Sequence, residues 1–256
     1  MPHRAAAPVG APCWIELSCT DLGKAEDFYG RIFGWETERL GEEFGNYANF
    51  SKGGEKIAGC MSNPGGMPDS WFTYLATTDI AATAAAVTAA GGQVVVSPME
   101  VMDLGSMAVF VDVGGAGLGA WQPGTHPGFT LLGEPGAANW FELHTQNYDA
   151  SLDFYRKAFG WDLHTASDTP EFRYSTLGHG ESQLAGIMDA SMFLPERTGA
   201  SWNVYFGVDS ADATLEQIVK LGGTVVQAAE DTPYGRLAGT SDRSGAFFRL
   251  ISGAPQ

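Results

Sequence analysis

The sequence predicts an α+β fold of tandem βαβββ modules, and three observations predict it. The chain writes one stretch twice: Trp14-Ile15-Glu16-Leu17-Ser18-Cys19-Thr20-Asp21 returns as Trp140-Phe141-Glu142-Leu143-His144-Thr145-Gln146-Asn147. The same offset of 126 residues carries Phe28-Tyr29 and Gly34-Trp35 onto Phe154-Tyr155 and Gly160-Trp161 without a gap. A period this long marks duplication of a whole domain, not a short repeat. Within each half, hydrophobic periodicity gives strand, helix and three strands, and then the same order again.

The elements follow in order. Trp14 to Cys19 alternates: Ile15, Leu17 and Cys19 form an aliphatic back, and Trp14, Glu16 and Ser18 a polar-aromatic front. Asp21 is placed to cap a helix whose Leu22, Ala25, Phe28, Tyr29, Ile32 and Phe33 recur at helical spacing. Gly34 stops it. Short strands follow from Trp35, at Tyr47 to Phe50 and at Lys56 to Met61, and residues 63–68 read as a linker. The second module runs through a strand at Trp71 to Thr77 and an Ala-rich helix to Ala90. Strands at Val94 to Val96, Val101-Met102, Ala108 to Val113 and Leu118 to Trp121 complete it. The second half repeats the order, with Asn147 as the cap and Gly160 as the stop of its first helix. Between the first strand and Trp71/Trp202 the offset grows from 126 to 131, which puts an insertion near residues 189–198. The domains are expected as a flexible arm over 1–11, a first domain over 12–123, a Gly/Pro-rich linker over 124–137 and a second domain over 138–253.

Composition narrows the function classes. The 256 residues suffice for two ordinary domains. No apolar run approaches the roughly 18 residues of a membrane span. The first 12 residues lack the apolar stretch of a signal peptide, so the cytoplasm is the expected compartment. A net charge of −16 without any Lys/Arg cluster argues against nucleic acid. Cys13, Cys19 and Cys60 show no CxxC spacing and read as small apolar filler, with a reactive Cys60 as an unsupported alternative.

The order of motifs resembles the vicinal oxygen chelate superfamily of glyoxalases, bleomycin resistance proteins and extradiol dioxygenases. The strand–Asp21–Phe28-Tyr29–Gly34-Trp35 signature and its second copy carry the likeness. So do Ala58-Gly59-Cys60-Met61 with Ala185-Gly186-Ile187-Met188, and Asp112-x-x-Gly115-Ala116 with Asp242-x-x-Gly245-Ala246. The two-domain form most resembles actinobacterial proteins labelled hydroxylase or glyoxalase-like. The resemblance implies that each pair of modules curves into a cup. In metal-dependent members the ligands would fall at Trp14, Phe72 and Gly119 in the first half and at Trp140, Asn203 and Arg249 in the second. Of these only Asn203 is even a poor ligand, so no metal and no other cofactor is expected.

Strand parity then gives the cup linings: Trp14, Glu16, Ser18, Phe72, Tyr74 and Trp121 in cup one, and Trp140, Glu142, His144, Asn203, Tyr205, Phe247 and Arg249 in cup two. Glu16 and Glu142 read either as ligand-binding or catalytic groups or as buried carboxylates that fix strand register. Tyr74 and Tyr205 read as hydrogen-bonded core aromatics or as ligand contacts. His144, where the first half has Ser18, shares a face with Glu142, and Arg249 is expected opposite them. His179 reads as a loop residue at a cup rim, and His3, His126 and His164 carry no recognisable context.

The leading expectation is metal-independent binding of a planar aromatic or polyketide-like small molecule, in a resistance or biosynthesis role. Its alternative is a cofactor-free hydroxylase, isomerase or lyase using Glu142, His144 and Tyr205. A metal-dependent dioxygenase or glyoxalase-type lyase, and an interaction protein with filled cups, are further readings. Monomer and homodimer both remain open, since duplication supplies within one chain the pairing that single-domain relatives get by dimerising.

Overall fold

The computed structural model describes residues 4–63, 65, 67–195 and 198–253. His3, Pro64 and Gly66 of the short linker, and residues 196–197 of the insertion lie outside it.

Each half forms one eight-stranded sheet. In the first, β1 (Pro12–Cys19) runs parallel to β4 (Glu55–Ser62) and antiparallel to β5 (Ser70–Ala76). Beyond β4 lie β3 (Ala48–Lys52) and β2 (Glu36–Arg39); beyond β5 lie β8 (Gly117–Pro123), β7 (Gly105–Val111) and β6 (Gln93–Val101). The second sheet repeats the order. There β9 (Ala138–Thr145) sits between β12 (Ala185–Asp189) and β13 (Ser201–Gly207). The flanks are β11 (Arg173–Leu177) and β10 (Leu163–Asp168) on one side, and β16 (Phe247–Ser252), β15 (Gly235–Ser241) and β14 (Thr224–Thr232) on the other. The two strands expected at Val94 and Val101 are one: β6 continues through Pro98 with register shifts on either side of Val96. Pro98 is tolerated because β6 is an edge strand and a missing N–H there need break no ladder bond.

The helices are α1 (Leu22–Phe33), α2 (Ile80–Ala89), α3 (Tyr148–Phe159) and α4 (Ala211–Lys220). Asp21 caps α1 by accepting from the Lys24 N–H at 3.0 Å, and Gly34 and Gly160 end α1 and α3 in the left-handed conformation. Asn147 does not cap α3 with its side chain. Its own N–H instead donates to Thr145 Oγ1 at 3.0 Å.

The repeated motifs join the halves. Tyr29 Oη donates to Asp242 Oδ2 at 3.0 Å, and Tyr155 Oη donates to Asp112 Oδ2 at 2.9 Å. Trp71 and Trp202 complete the relay by donating their indole N–H to Tyr29 and Tyr155. Trp35 and Trp161 donate to the Gly136 and Gly10 carbonyls, each across the boundary. Trp71 and Trp202 therefore back the tyrosines that cross between the halves. Phe206 and Phe248 of the second half pack on Tyr29, Phe33, Trp35 and Trp71 of the first at centroid distances of 5.1–6.0 Å. Ring pairs of this kind add about 0.5–1.5 kcal/mol each beyond their burial.

The inner end of the arm and the middle of the linker pack on the core. Gly10 and Ala11 are buried, and the Gly10 N–H donates to the Ala76 carbonyl at 2.8 Å. Arg4 lies over the Phe129 ring and donates to the Pro12 carbonyl. Phe129 and Leu131, in the middle of the linker, are buried in the core. Both segments carry apolar groups that find cover between the sheets, which Gly/Pro content alone does not reveal.

Candidate functional site

Both cups are organised around a glutamate. In cup two, Glu142 accepts from His144 Nε2 at 2.6 Å, Tyr174 Oη at 2.7 Å and Tyr205 Oη at 2.7 Å. Trp140 Nε1 donates to Tyr174 Oη at 2.9 Å and holds that ring in place. In cup one, Tyr74 Oη donates to Glu16 at 3.2 Å, Trp14 Nε1 donates to Tyr47 Oη at 3.1 Å, and the Tyr47 hydroxyl lies close enough to Glu16 to lower its titration. Tyr47 and Tyr174 escaped the sequence reading. The signal was present in the repeated Ala-Gly-x-Met motif. Gly59 and Gly186 sit in register with Glu16 and Glu142, and a Cβ there would lie 1.7 and 2.0 Å from the Tyr47 and Tyr174 hydroxyls. The glycines leave the space through which each tyrosine reaches its carboxylate.

The two glutamates shift in opposite directions. Burial pushes Glu16 up, and the Tyr47 and Tyr74 bonds only partly oppose it, so Glu16 titrates above the usual carboxylate range. Burial also pushes Glu142 up, but the bond and charge of His144 and the two tyrosine bonds outweigh it, and Glu142 titrates below its usual range. With Glu142 ionised, His144 Nε2 must carry the hydrogen between them. Burial and the adjoining Glu142 charge together push Tyr205 and Tyr174 well up, so both stay neutral donors. Ser18 against His144 is thus the substitution that separates a protonation-prone carboxyl from a fixed carboxylate.

The other expected lining residues are placed as follows. Phe72 packs edge-on against Tyr74 at 5.3 Å, and Tyr74 faces Trp14 in register. Gly119, beside Tyr74, has no room for a side chain: a Cβ would lie 2.1 Å from the tyrosine ring. Asn203 is opposite Glu142 but turns its amide to the Ser201 and Glu142 backbone carbonyls. Arg249 does not join Glu142 and His144. Its guanidinium lies 5.6 Å from the Tyr205 ring and 5.4 Å from the Phe247 ring, and Nη1 donates to Gln227 at 2.8 Å. Its Nε is buried and has no hydrogen-bond partner among the described residues.

Cup one is closed by the linker. His126 stands edge-on to Trp14 at 4.5 Å and to Trp121 at 5.7 Å, while Trp121 donates to the His126 carbonyl at 2.9 Å. Burial pulls His126 down to about 4, so at neutral pH it is an uncharged plug. His126 has a context after all, supplied by residues distant in sequence. At the offset of 130 that relates Asp112 to Asp242, Trp121 and Leu104 correspond to Ile251 and Tyr234. In the second half those positions line an open cavity of about 420 Å³, with Asn139, Asp209 and Ser252 among its walls. The cavity does not include Glu142. It starts at Ile251, the next residue after Arg249 on the same face of β16.

The insertion forms the other wall of cup two. Gln146 Nε2 donates to the Leu194 and Pro195 carbonyls at 3.1 Å each, and the Ala190 N–H donates to Thr145 at 2.8 Å. This holds Phe193 edge-on over His144 at 5.8 Å while leaving it 54% exposed, beside Met192 at 76%. On the tyrosine side, Phe172 stacks on Tyr174 at 5.5 Å with its outer face exposed. Two exposed aromatic rings therefore touch two members of the buried Glu142 network.

These sheets, motifs and cups have known counterparts. The model of the Glyoxalase/Bleomycin resistance protein/Dioxygenase superfamily matches residues 13–118 and 137–250. The chain belongs to this superfamily. Within it, the chain is 35% identical over 264 residues to CFP32 of Mycobacterium tuberculosis (strain CDC 1551 / Oshkosh), covering 100% of both chains. It is 35% identical over 262 residues to the Anthracycline biosynthesis protein DnrV of Streptomyces peucetius, covering 94% of this chain and 93% of DnrV. The fold is that of the Mn(II)-bound glyoxalase from Novosphingobium aromaticivorans, with TM-score 0.66 and 15% identity over 98% of this chain and 83% of that one.

Metal-dependent superfamily members imply an ion, and the residues here do not fit one. Among the described residues no cluster of three or more His, Cys, Asp or Glu exists. Trp14 and Trp140 hold tyrosines, Gly119 has no space for a donor, and Glu142 already accepts three hydrogen bonds.

Proposed function

We propose that this protein binds a planar, partly aromatic, oxygenated metabolite in cup two without a metal, in a biosynthetic or resistance role. The observation that carries this reading is the Glu142–His144–Tyr174–Tyr205 network beneath the exposed rings of Phe193 and Phe172. Rings of this kind stack on a flat ligand, and the buried polar groups orient its oxygens. Arg249 Nε offers a further donor that a ligand carbonyl or phenolate would satisfy. Glu142 and His144 are 6% and 3% exposed, so a ligand that reaches them displaces Phe193. The kinship with an anthracycline biosynthesis protein supports an aromatic polyketide as the ligand class.

A second reading rests on one observation. An ionised Glu142 bonded to His144 at 2.6 Å is an acid/base pair, which suits a cofactor-free isomerase, lyase or hydroxylase. One experiment tests both. Tryptophan quenching is measured with an anthracyclinone and with non-aromatic controls, and the recovered compound is analysed by chromatography. Saturable quenching with unchanged compound supports binding. Conversion that Glu142→Gln abolishes supports the enzyme. No quenching by any planar aromatic, with the protein folded, refutes the ligand class.

A further inference from the structure

A thiol pair lies outside both cups. Cys19 Sγ and Cys60 Sγ are 3.0 Å apart, closer than two unbonded sulfurs rest, and both are free and buried. They join β1 to β4 on the aliphatic face of β1, opposite Trp14 and Glu16. Both thiols line a cavity of about 230 Å³ with Thr20, Leu22, Arg39 and Asn46, which gives a small reagent access to buried sulfur. The fold itself does not require cysteine here. The second copy builds the same corner from Thr145 and Ile187, and Thr145 is satisfied by Ser151 at 3.1 Å.

We propose that Cys19 and Cys60 are a redox modification site, oxidised reversibly to an intramolecular disulfide by a low-molecular-weight disulfide such as oxidised glutathione. The Cys19 thiolate attacks one sulfur of the external disulfide and expels one thiolate. The Cys60 sulfur then gives up its proton, attacks Cys19 Sγ and expels the second. The protein loses two electrons and two protons; the external disulfide gains them as two thiols. The neighbouring Cys60 donor pulls Cys19 down, which favours Cys19 as the attacking thiolate. Cys13 is no rival: burial pushes it up to about 12, and its Sγ is bound to the Tyr74 carbonyl.

The reduced full chain is equilibrated across ratios of oxidised to reduced glutathione, then unfolded in denaturant containing iodoacetamide, so that every remaining thiol is alkylated, and mapped by mass spectrometry. The expected product is a Cys19–Cys60 cross-linked peptide, a mass lower by two hydrogens, and one alkylated thiol, Cys13, where the reduced chain shows three. Dithiothreitol restores all three. Cys19→Thr and Cys60→Ile borrow the residues of the second copy, so each should fold; in each, the remaining cysteine should stop at a glutathione adduct. The proposal is overturned if both thiols stay alkylatable at the most oxidising ratio. It is also overturned if the wild type stops at a mixed disulfide, or if the cross-link forms between chains or through Cys13.

Discussion

Replacing His144 with serine gives cup two the side chain of cup one and removes the 2.6 Å bond to Glu142. A hydrogen bond to a charged group contributes about 1.5–3 kcal/mol, and stripping one partner from a buried pair costs about 3–5 kcal/mol. Glu142 can relieve the loss by taking up a proton, so the overlap of the two ranges, about 3 kcal/mol at neutral pH, is the expected cost. For a chain of this size that is a fall of about 6–12 °C in melting temperature. The pH dependence is the sharper readout. In the wild type Glu142 titrates below its unfolded value, so its stabilisation is present above an unfolded pKa of about 4.3 and is lost as pH falls through the folded value. In His144→Ser it should behave as Glu16 does, titrating above the unfolded value, so the folded state gains in acid and loses as pH rises. The stability gap should be widest near neutrality and close towards acid. Urea unfolding of both proteins across this range measures it, with Glu142→Gln in the variant background as the flat reference. A gap that stays constant with pH would refute the assignment of Glu142 as the ionised member.

Other outcomes are open to direct measurement. Gly186→Ala sets a Cβ 2.0 Å from the Tyr174 hydroxyl and should cost about 1–3 kcal/mol in urea unfolding, with a shift in Trp140 fluorescence. Tyr155→Phe leaves Trp202 Nε1 without its acceptor and Asp112 without one donor, and should lower a shared melting transition by about 1–3 kcal/mol. His126 should titrate by NMR near 4; its stabilising neutral form is present above its usual value of about 6.5 and is lost as pH falls towards 4, so His126→Phe should remove that acid sensitivity. Removing divalent ions with a chelator should change neither melting temperature nor aromatic-ligand affinity; a loss of either on chelation, restored by Mn(II) or Fe(II), overturns the metal-free reading.

The fold was legible because its strands alternate and its motifs recur: Trp14-Glu16 and Trp140-Glu142 place the same parity twice. The heart of each cup was legible for the same reason. Tyr47 and Tyr174 were not, since they lie just before β3 and at the start of β11, and only pairing distant strands brings them over Gly59 and Gly186. His126 had no periodic neighbour, and its partners Trp14 and Trp121 are fixed by how the linker crosses the sheet. Arg249 was placed on the correct face, but Tyr205 stands between it and the carboxylate.

The crossed Tyr29–Asp242 and Tyr155–Asp112 bonds have an evolutionary corollary. They are the contacts a single-copy ancestor would make twice across a two-fold axis as a dimer of identical halves. In such a dimer every substitution strikes both cups together. Within one chain that constraint is absent, while the crossed bonds keep the halves docked. The two cups can then differ, one sealed by the segment that links the halves and the other carrying a histidine and a sequence longer by five residues.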